Sequence, residues 1–435
     1  MNLHKTVQRA LRSLVMVSLC GVAFTAAAET TAVPDESAKQ LPLEELRLFA
    51  EVYERIKNAY VEPVDDAKLL QDAVRGMLAG LDPHSNYMDK DEFEALQVHT
   101  SGEFGGLGIE VGMEEPYIRV ITPIDDTPAE RAGVKAGDLI TQLDDKPVAS
   151  MSLEEAINHM RGEPGEPIVL TVLREGRDTP IEITVIRDII HVASVKSRML
   201  EPGYGYIRIT QFQVNTGNEL VKQLQKLQAD DSLNGLVLDL RNNPGGVLQA
   251  AVDVGNAFLS QGTIVYTEGR LPNSDQLFEA NSQTALPELP LVVLINGGSA
   301  SASEIVAGAL QDQKRAVIMG TDSFGKGSVQ TILPLAKDRA IKLTTARYFT
   351  PNGRSIQAQG IEPDIEVGNA ELKPLGNGGS HLKERDLSGH LANGQADKGS
   401  MDKRAEEREL LREDFQLFEA VALLKALSIV KLQEK

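Results

Sequence analysis

The sequence predicts a multidomain α/β protein: a core of alternating strands and helices, preceded by a module of short strands and bounded by helical segments. Three observations predict it. Residues 188–367 alternate apolar strand-like runs with helix-like runs, as an α/β core does. Residues 102–187 break instead into short strand-like runs between glycine turns. Residues 42–98 and 404–431 place apolar side chains at helical spacing. A chain of 435 residues exceeds one ordinary domain.

The first 28 residues read as a targeting segment. Lys5, Arg9 and Arg12 precede an apolar run from Leu14 to Phe24, and Ala26, Ala27 and Ala28 offer small residues for cleavage. The run is shorter than the roughly 20 residues a membrane-spanning helix needs; an uncleaved anchor is the competing reading. Cys20, the only cysteine, lies inside this run, and Leu19 before it is not the small residue a lipoprotein signal wants. A chain beginning after residue 28 would carry no thiol, hence no disulfide, cysteine nucleophile or thiolate metal ligand. A periplasmic address fits. Residues 29–41 read as a flexible N-terminus.

The helical region 42–98 opens at Pro42, a first-turn proline ahead of Glu44 and Glu45. Leu46, Phe49, Tyr53, Ile56 and Tyr60 share one face, and a second helix over about 66–80 aligns Leu69, Ala73 and Met77. Asp82-Pro83-His84 ends it. In the module 99–187, Leu107–Gly112 and Tyr117–Ile121 read as strands. Ser152 and Glu155 then cap a helix running to Met160, with Gly162 just beyond. Ile168–Arg174 and Ile181–Ile186 are strands around a Glu175-Gly176 turn. In the core 188–367, strands fall at Gly203–Phe212, Leu236–Leu240, Leu291–Ile295, Ala316–Met319, Val329–Leu335 and Ala340–Phe349. Helices fall at Val247–Leu259 and Ser301–Leu310, and Pro351-Asn352-Gly353 is a turn. Residues 368–402 are a polar, glycine-rich linker. In the terminal helix 403–435, Leu411, Phe415, Phe418, Ala422 and Leu424 fall near one face. That face needs a partner, either the N-terminal helices or another subunit.

Composition narrows the function. The net charge of −19 opposes phosphate backbones and anionic headgroups, and the lack of Trp leaves few stacking surfaces, so no nucleic-acid partner is expected. No cofactor is expected. His84, His99, His159, His191, His381 and His390 have no metal-ligand spacing, although a histidine base meeting Ser301 in space stays open.

Three stretches can carry chemistry. Asn296 to Glu304 (Asn-Gly-Gly-Ser-Ala-Ser-Ala-Ser-Glu) joins a buried strand to an apolar helix. Its small residues suit a nucleophile at a tight turn beside exposed amides; the competing reading is a small-residue N-cap. Thr321 to Gln330 sets Lys326 between Gly325 and Gly327, beside Phe324 and an apolar strand. Burial there would disfavour the ammonium form, and a neutral amine can take a proton from a serine hydroxyl; a solvated loop lysine is the alternative. Asp239 to Gly246 offers the amides of Gly245 and Gly246 for an oxyanion site, or is an ordinary turn. Gly320 to Lys326 also matches the start of a phosphate loop, but Gly327 stands where Ser or Thr is needed and a strand follows instead of a helix. Ser323-Phe324-Gly325-Lys326 matches S-x-x-K only formally, since the glycines weaken the helix it requires. In the middle module, Gly105, Gly106, Leu107, Gly108 and Ile109 form a glycine-rich loop entering a strand. Such a loop can offer amides to a peptide carboxylate while the peptide adds as a strand, with the helix 152–160 as the other wall.

Together these residues closely resemble the C-terminal processing peptidases, also called tail-specific or carboxy-terminal proteases. The likeness spans about residues 42–367. It rests on Leu81-Asp82-Pro83-His84-Ser85, Gly105–Ile109 with Ala132–Asp138, Asp239–Gly246, Ser299–Glu304 and Phe324–Gln330. It continues through Arg347-Tyr348-Phe349-Thr350-Pro351 and Gly360-Ile361-Glu362-Pro363-Asp364. The resemblance implies a PDZ domain next to a crotonase- or Clp-like serine protease core. It implies Ser301 as nucleophile, Lys326 as general base, Gln330 supporting the lysine, and oxyanion amides from Gly245, Gly246 and Ala302. Substrates would be proteins or peptides gripped by their C-terminal tails. A homo-oligomer through the terminal helices and an accessory lipoprotein are further partners to expect. Arg161, at the end of the PDZ helix, is expected to contact the protease core and couple binding to activity. The alternative is a PDZ-bearing scaffold with a catalytically silent core. A non-proteolytic acyl-CoA enzyme of crotonase fold is disfavoured by the PDZ module and the lack of a nucleotide-binding pattern.

Overall fold

A computed structural model describes residues 41–370 except 178, 231, 273, 282–288 and 337, together with 387, 388, 391 and 414–433. The expected targeting segment, nearly all of 29–41, most of the linker and the start of the terminal helix lie outside these residues. The chain divides into two compact units, residues 1–71 and 72–435.

In the first unit, α1 (Leu43–Ala59) carries Glu44 and Glu45 in its first turn and Lys57 in its last, which suits the helix dipole. It buries none of its residues, and Leu46, Phe49 and Ile56 of the expected apolar face are exposed. The division falls within α2 (Asp66–Ala79).

The second unit begins with a turn at Asp82 that leads into β1 (Asn86–Met88) and α3 (Lys90–Ser101). Sequence reading did not single out α3. Its start is fixed by reciprocal bonds of 3.0 Å: the Asp89 side chain accepts the Glu92 N–H, and the Glu92 carboxylate accepts the Asp89 N–H. It ends at Gly102, whose φ of 75° closes the last turn.

The chain then forms β2 (Glu103–Gly106), β3 (Ile109–Glu114), β4 (Tyr117–Pro123), α4 (Pro128–Arg131), β5 (Leu139–Leu143), β6 (Lys146–Pro147), α5 (Leu153–Met160), β7 (Pro167–Leu173), β8 (Ile181–Ile186) and β9 (Asp188–His191). An antiparallel sheet runs β3-β4-β5-β7-β8, with β6 on β5, and β2 pairs separately with β9. The expected strand at Leu107 starts two residues later, because Leu107 and Gly108 form the turn. Alternate residues of β7 (Ile168, Leu170, Val172) bury against Ile118, Val120 and Ile140 in a core of their own.

The remaining elements are β10 (Val195–Glu201), β11 (Tyr204–Ile209), α6 (Thr216–Asp230), β12 (Gly235–Asp239), α7 (Leu248–Phe258), β13 (Thr263–Gly269), β14 (Gln276–Glu279), β15 (Leu291–Ile295), α8 (Ala302–Asp312), β16 (Val317–Gly320), β17 (Ser328–Leu335), β18 (Arg339–Phe349), β19 (Ile365–Glu366) and α9 (Phe415–Gln433). One sheet runs β10-β11-β12-β15-β16-β19, parallel from β11 onward. Every residue of β12 and β15 is buried because both faces are covered. Leu236, Leu238, Val293 and Ile295 pack with α6, α7 and α8, whereas Val237, Val292 and Leu294 pack with α9. A second sheet runs β1-β18-β13-β14, with β17 on β18. Pairing of β1 with β18 brings the Asp82 turn to the core.

The terminal helix departs from expectation. Its buried face is Leu417, Ala420, Val421 and Leu424, while Phe418 and Ala422 are exposed. The face is covered by the chain's own sheet, so burying these residues needs no second subunit. The face had been read from residue 411 onward, and the sheet contacts Leu417 and Leu424, seven positions apart, as a two-turn stripe.

Candidate active site

The parallel strands β12, β15 and β16 all end at one edge of the sheet, where the three glycine-rich loops begin. That edge is where open α/β sheets hold their ligands.

The turn from β15 into the start of α8 carries three serines with different surroundings. Ser299 and Ser303 are fully buried. The Ser299 hydroxyl donates to the Leu240 carbonyl at 2.8 Å, and the Ser303 hydroxyl donates to the Asn243 carbonyl at 2.9 Å. Both serve the fold. Ser301 is half-buried, stands immediately before α8, and holds φ 54° and ψ −111°. A non-glycine residue in such a conformation costs about 1–3 kcal/mol, a strain that clusters at active sites.

Close packing explains the glycines opposite. A Cβ on Gly245 would stand 2.8 Å from the Ser301 Cβ, and one on Gly246 would stand 2.0 Å from the Phe212 carbonyl oxygen. Buried Asn243 ties the two loops together. Its carbonyl accepts the Ala300 N–H, its amide donates to Ile209, and its Oδ1 accepts the Gly245 N–H at 2.9 Å. Gly245 is thereby already paired. The N–H groups of Gly246 and Ala302 have no acceptor among the described residues, and both residues line a cavity of about 420 Å³ with Ser301.

Lys326 enters the same cavity. Its loop is held by Glu304, a fully buried carboxylate on α8. Glu304 Oε1 accepts the Ser323 hydroxyl and the Gly325 N–H, both at 2.6 Å. Its Oε2 accepts the N–H groups of Ser301 at 2.7 Å and Lys326 at 2.9 Å. One side chain therefore fixes both the serine turn and the lysine loop. Burial pushes the Glu304 carboxyl above its ordinary pKa against these hydrogen bonds. Burial, and then the like charge of Lys342, push the Lys326 amine below its ordinary value, while Asp82 and Glu304 act in the opposite sense. The amine has no hydrogen-bond acceptor among the described residues. It shares the cavity with the Ser301 hydroxyl without being hydrogen-bonded to it. Tyr348, almost wholly buried, donates its hydroxyl to the Lys326 carbonyl and also lies beside Ser301.

Gln330 lines the cavity without a hydrogen bond to the lysine: its Nε2 donates to Ser328 Oγ at 3.0 Å and Thr344 Oγ1 at 3.3 Å. His99 and Lys342 line the cavity too, and among the described residues no histidine is hydrogen-bonded to Ser301. Sequence reasoning gave no role to Glu304, Asn243, Tyr348 or Asp82. Glu304 had a readable signal, an acidic residue three positions after a helix-opening serine. The lysine loop feeds β17, not a helix, against both the phosphate-loop and S-x-x-K readings.

The glycine-rich loop before β3 is built to leave amides open. Gly108 holds φ 77°, and a Cβ there would stand 2.3 Å from Thr127. The carbonyls of Leu107 and Gly108 accept the Ala129 and Ile124 N–H groups, while their own N–H groups have no acceptor among the described residues. β3 is an end strand of its sheet, and Ile109 and Val111 pack in the same core as Leu153 and Ile157 of α5. Arg161, exposed at the end of α5, holds its guanidinium 5.5 Å over the Phe104 ring on β2.

Three stretches of the chain match known protein families. Residues 203–367 match peptidase family S41, residues 105–185 match the PDZ domain, and residues 18–92 match the N-terminal domain of the activating protease CtpB. The carboxy-terminal-processing protease of Bartonella bacilliformis is 49% identical over 391 residues, 89% of this chain and 90% of that relative. The carboxyl-terminal-processing protease of Synechocystis is 38% identical over 72% of this chain and 74% of its own length. Among solved structures, the photosystem II D1 C-terminal processing protease is 31% identical over 74% of this chain and 93% of its own, with a TM-score of 0.43. The chain therefore belongs to the carboxy-terminal-processing proteases, serine proteases of peptidase family S41 that carry a PDZ domain.

Proposed function

We propose that this protein is an exported, periplasmic endopeptidase that grips substrate C-termini in its PDZ groove and cleaves them with Ser301 and Lys326. The export reading rests on the basic residues Lys5, Arg9 and Arg12 ahead of the apolar run 14–24. The tail reading rests on the amides of Leu107 and Gly108, unpaired among the described residues, at the open edge of β3, the pairing a peptide carboxylate and strand require. The observation that carries the chemistry is a serine strained at a helix entrance, in one cavity with a half-buried amine that has no competing acceptor among the described residues.

In the proposed reaction the neutral Lys326 amine takes the Ser301 proton as Oγ attacks the scissile carbonyl. The N–H groups of Gly246 and Ala302 receive the oxyanion. The Lys326 ammonium returns the proton to the leaving amine, leaving an acyl-enzyme. Lys326 then takes a proton from water as the water oxygen attacks the acyl carbonyl, and gives it to Ser301 Oγ as the ester bond breaks, which releases the new C-terminus and restores the serine.

The test is incubation of an unfolded protein bearing an apolar C-terminal tail with Ser301→Ala and Lys326→Ala proteins. Both should lose cleavage while keeping the native circular dichroism spectrum. Full cleavage by either variant would remove that residue from its role. If the natural chain itself leaves the tailed protein intact, the chain is a binding scaffold and not a peptidase.

A further inference from the structure

Asp82 sits at the turn into β1, outside the serine and lysine loops, yet its carboxylate collects four donors. Oδ1 accepts the N–H groups of His84 at 2.8 Å and Ser85 at 3.0 Å and the Thr344 hydroxyl at 3.1 Å, and Oδ2 accepts the Ser85 hydroxyl at 2.7 Å. The Thr344 N–H donates in turn to Ser85 Oγ at 3.1 Å. Burial raises the energy of the Asp82 charge, but the bonds from Ser85, His84 and Thr344 outweigh it and hold the carboxyl below its ordinary pKa. At neutral pH Asp82 is ionised and can only accept hydrogen bonds.

That one-way character has a consequence two bonds away. A threonine hydroxyl has a single hydrogen, and here Asp82 takes it. Thr344 Oγ1 can then only accept from its other neighbours: Ser85 Oγ lies 3.5 Å away with its own hydrogen on the closer Asp82 Oδ2, and Gln330 Nε2 donates at 3.3 Å. Ser328 Oγ accepts the same nitrogen at 3.0 Å. With both amide hydrogens used, Gln330 presents its carbonyl oxygen as its remaining polar group, and this oxygen has no donor among the described residues. Gln330 lines the cavity that Lys326 enters, so the group left over is the acceptor an ε-amine can use.

We propose that Asp82 is a positioning residue of the active site, which acts through Thr344 to fix the orientation of the Gln330 amide and keep its oxygen toward Lys326. The inference rests on the reading of Gln330 as support for the catalytic lysine. Without a fixed polarity the amide can turn over, and its NH2 group would then face the amine and repel the charged form that must hold the proton during acyl transfer. The relay sets which end of Gln330 faces the chemistry.

Steady-state cleavage of a tailed substrate by Asp82→Ala, Asp82→Asn, Thr344→Val and Gln330→Ala proteins, alone and in pairs, tests this. Asp82→Ala and Thr344→Val should each lower kcat, by up to about 100-fold for a displaced supporting group, with KM little changed. Asp82→Asn keeps an oxygen facing Thr344 and should restore most of kcat. In the Gln330→Ala background, Asp82→Ala and Thr344→Val should cost nothing further, because a residue that acts only through Gln330 has nothing left to position. If each instead multiplies the Gln330→Ala loss by its full single-variant factor, Asp82 supports only the fold and the inference falls. An unimpaired Gln330→Ala enzyme would remove Gln330 from the mechanism and overturn both the reading and the inference.

Discussion

At the scale of residues, the site separates three serines by what their hydroxyls already do. Ser299 and Ser303 spend theirs on backbone carbonyls, whereas Ser301 keeps its hydroxyl in the cavity at the cost of a strained backbone. The amine facing it is set by opposing charges: burial and Lys342 favour the neutral form, Asp82 and Glu304 the charged one. His84 reports the same field, since burial and then the Lys326 charge push its pKa down. In the proposed mechanism the neutral amine is the reactive form, so kcat/KM rises as pH climbs through the Lys326 pKa. That limb lies on the acid side of an ordinary lysine. Lys342→Met removes a like charge, raises the Lys326 pKa, and should move the limb to higher pH while leaving the plateau rate close to natural. A pH–rate profile measures it. A limb that stays in place would mean that the Lys342 charge is screened from the amine or that another group sets the limb.

At the scale of elements, the parts legible in sequence are those whose causes are local. β12 and β15 read directly as apolar runs because both faces of the sheet are covered, and α5 reads from its Ser152 and Glu155 cap. α6 carries a buried stripe in Leu220, Leu224 and Leu227, but mostly polar residues fill the rest of it and dilute the apolar pattern. β14 is hidden for a different reason: it is a mostly exposed strand without a continuous apolar run. In the site, glycines flag the loops of Ser301 and Lys326, whereas Asp82 and Thr344 stand 262 positions apart and nothing local announces their bond. The attachment of α9 is equally long-range. Arg241, two residues beyond β12, donates to both carboxylate oxygens of Asp414 at 2.8 and 2.6 Å and to Gln416 at 3.0 Å, and it also pairs with buried Asp239. Asp414→Ala would strip the largely buried guanidinium of two charged bonds. We expect a loss of about 2 kcal/mol, read as a lower denaturation midpoint at unchanged m-value. An unchanged midpoint would mean that water replaces Asp414 without penalty.

At the scale of the whole molecule, the 72–435 unit joins its two grooves through one helix. α3 contributes Leu96, His99 and Thr100 to the catalytic cavity, and Gly102 at its end turns the chain directly into β2 and the loop of Leu107 and Gly108. In the proposed mode, a substrate held by its tail in the PDZ groove would be tethered to the chain that carries Ser301, which would give its cleavage site a high local concentration there. Tail binding of that kind would contribute equally to the ground state and the transition state, since the carboxylate takes no part in the bond being broken. Removing it should then raise KM and spare kcat. Amidation of the substrate C-terminus replaces the carboxylate by a neutral group with one acceptor and two unwanted donors, and so forfeits the charge-assisted bonds to the loop amides. At about 1.5–3 kcal/mol for hydrogen bonds to a charged group, KM for the amidated peptide should rise roughly tenfold or more. Initial rates over a concentration series with the free-acid and amide forms of one peptide separate the two constants. Equal KM values would show that the tail is not gripped by its carboxylate. A fall in kcat at constant KM would mean instead that tail binding switches the catalytic cavity on, and that the two grooves are coupled through α3.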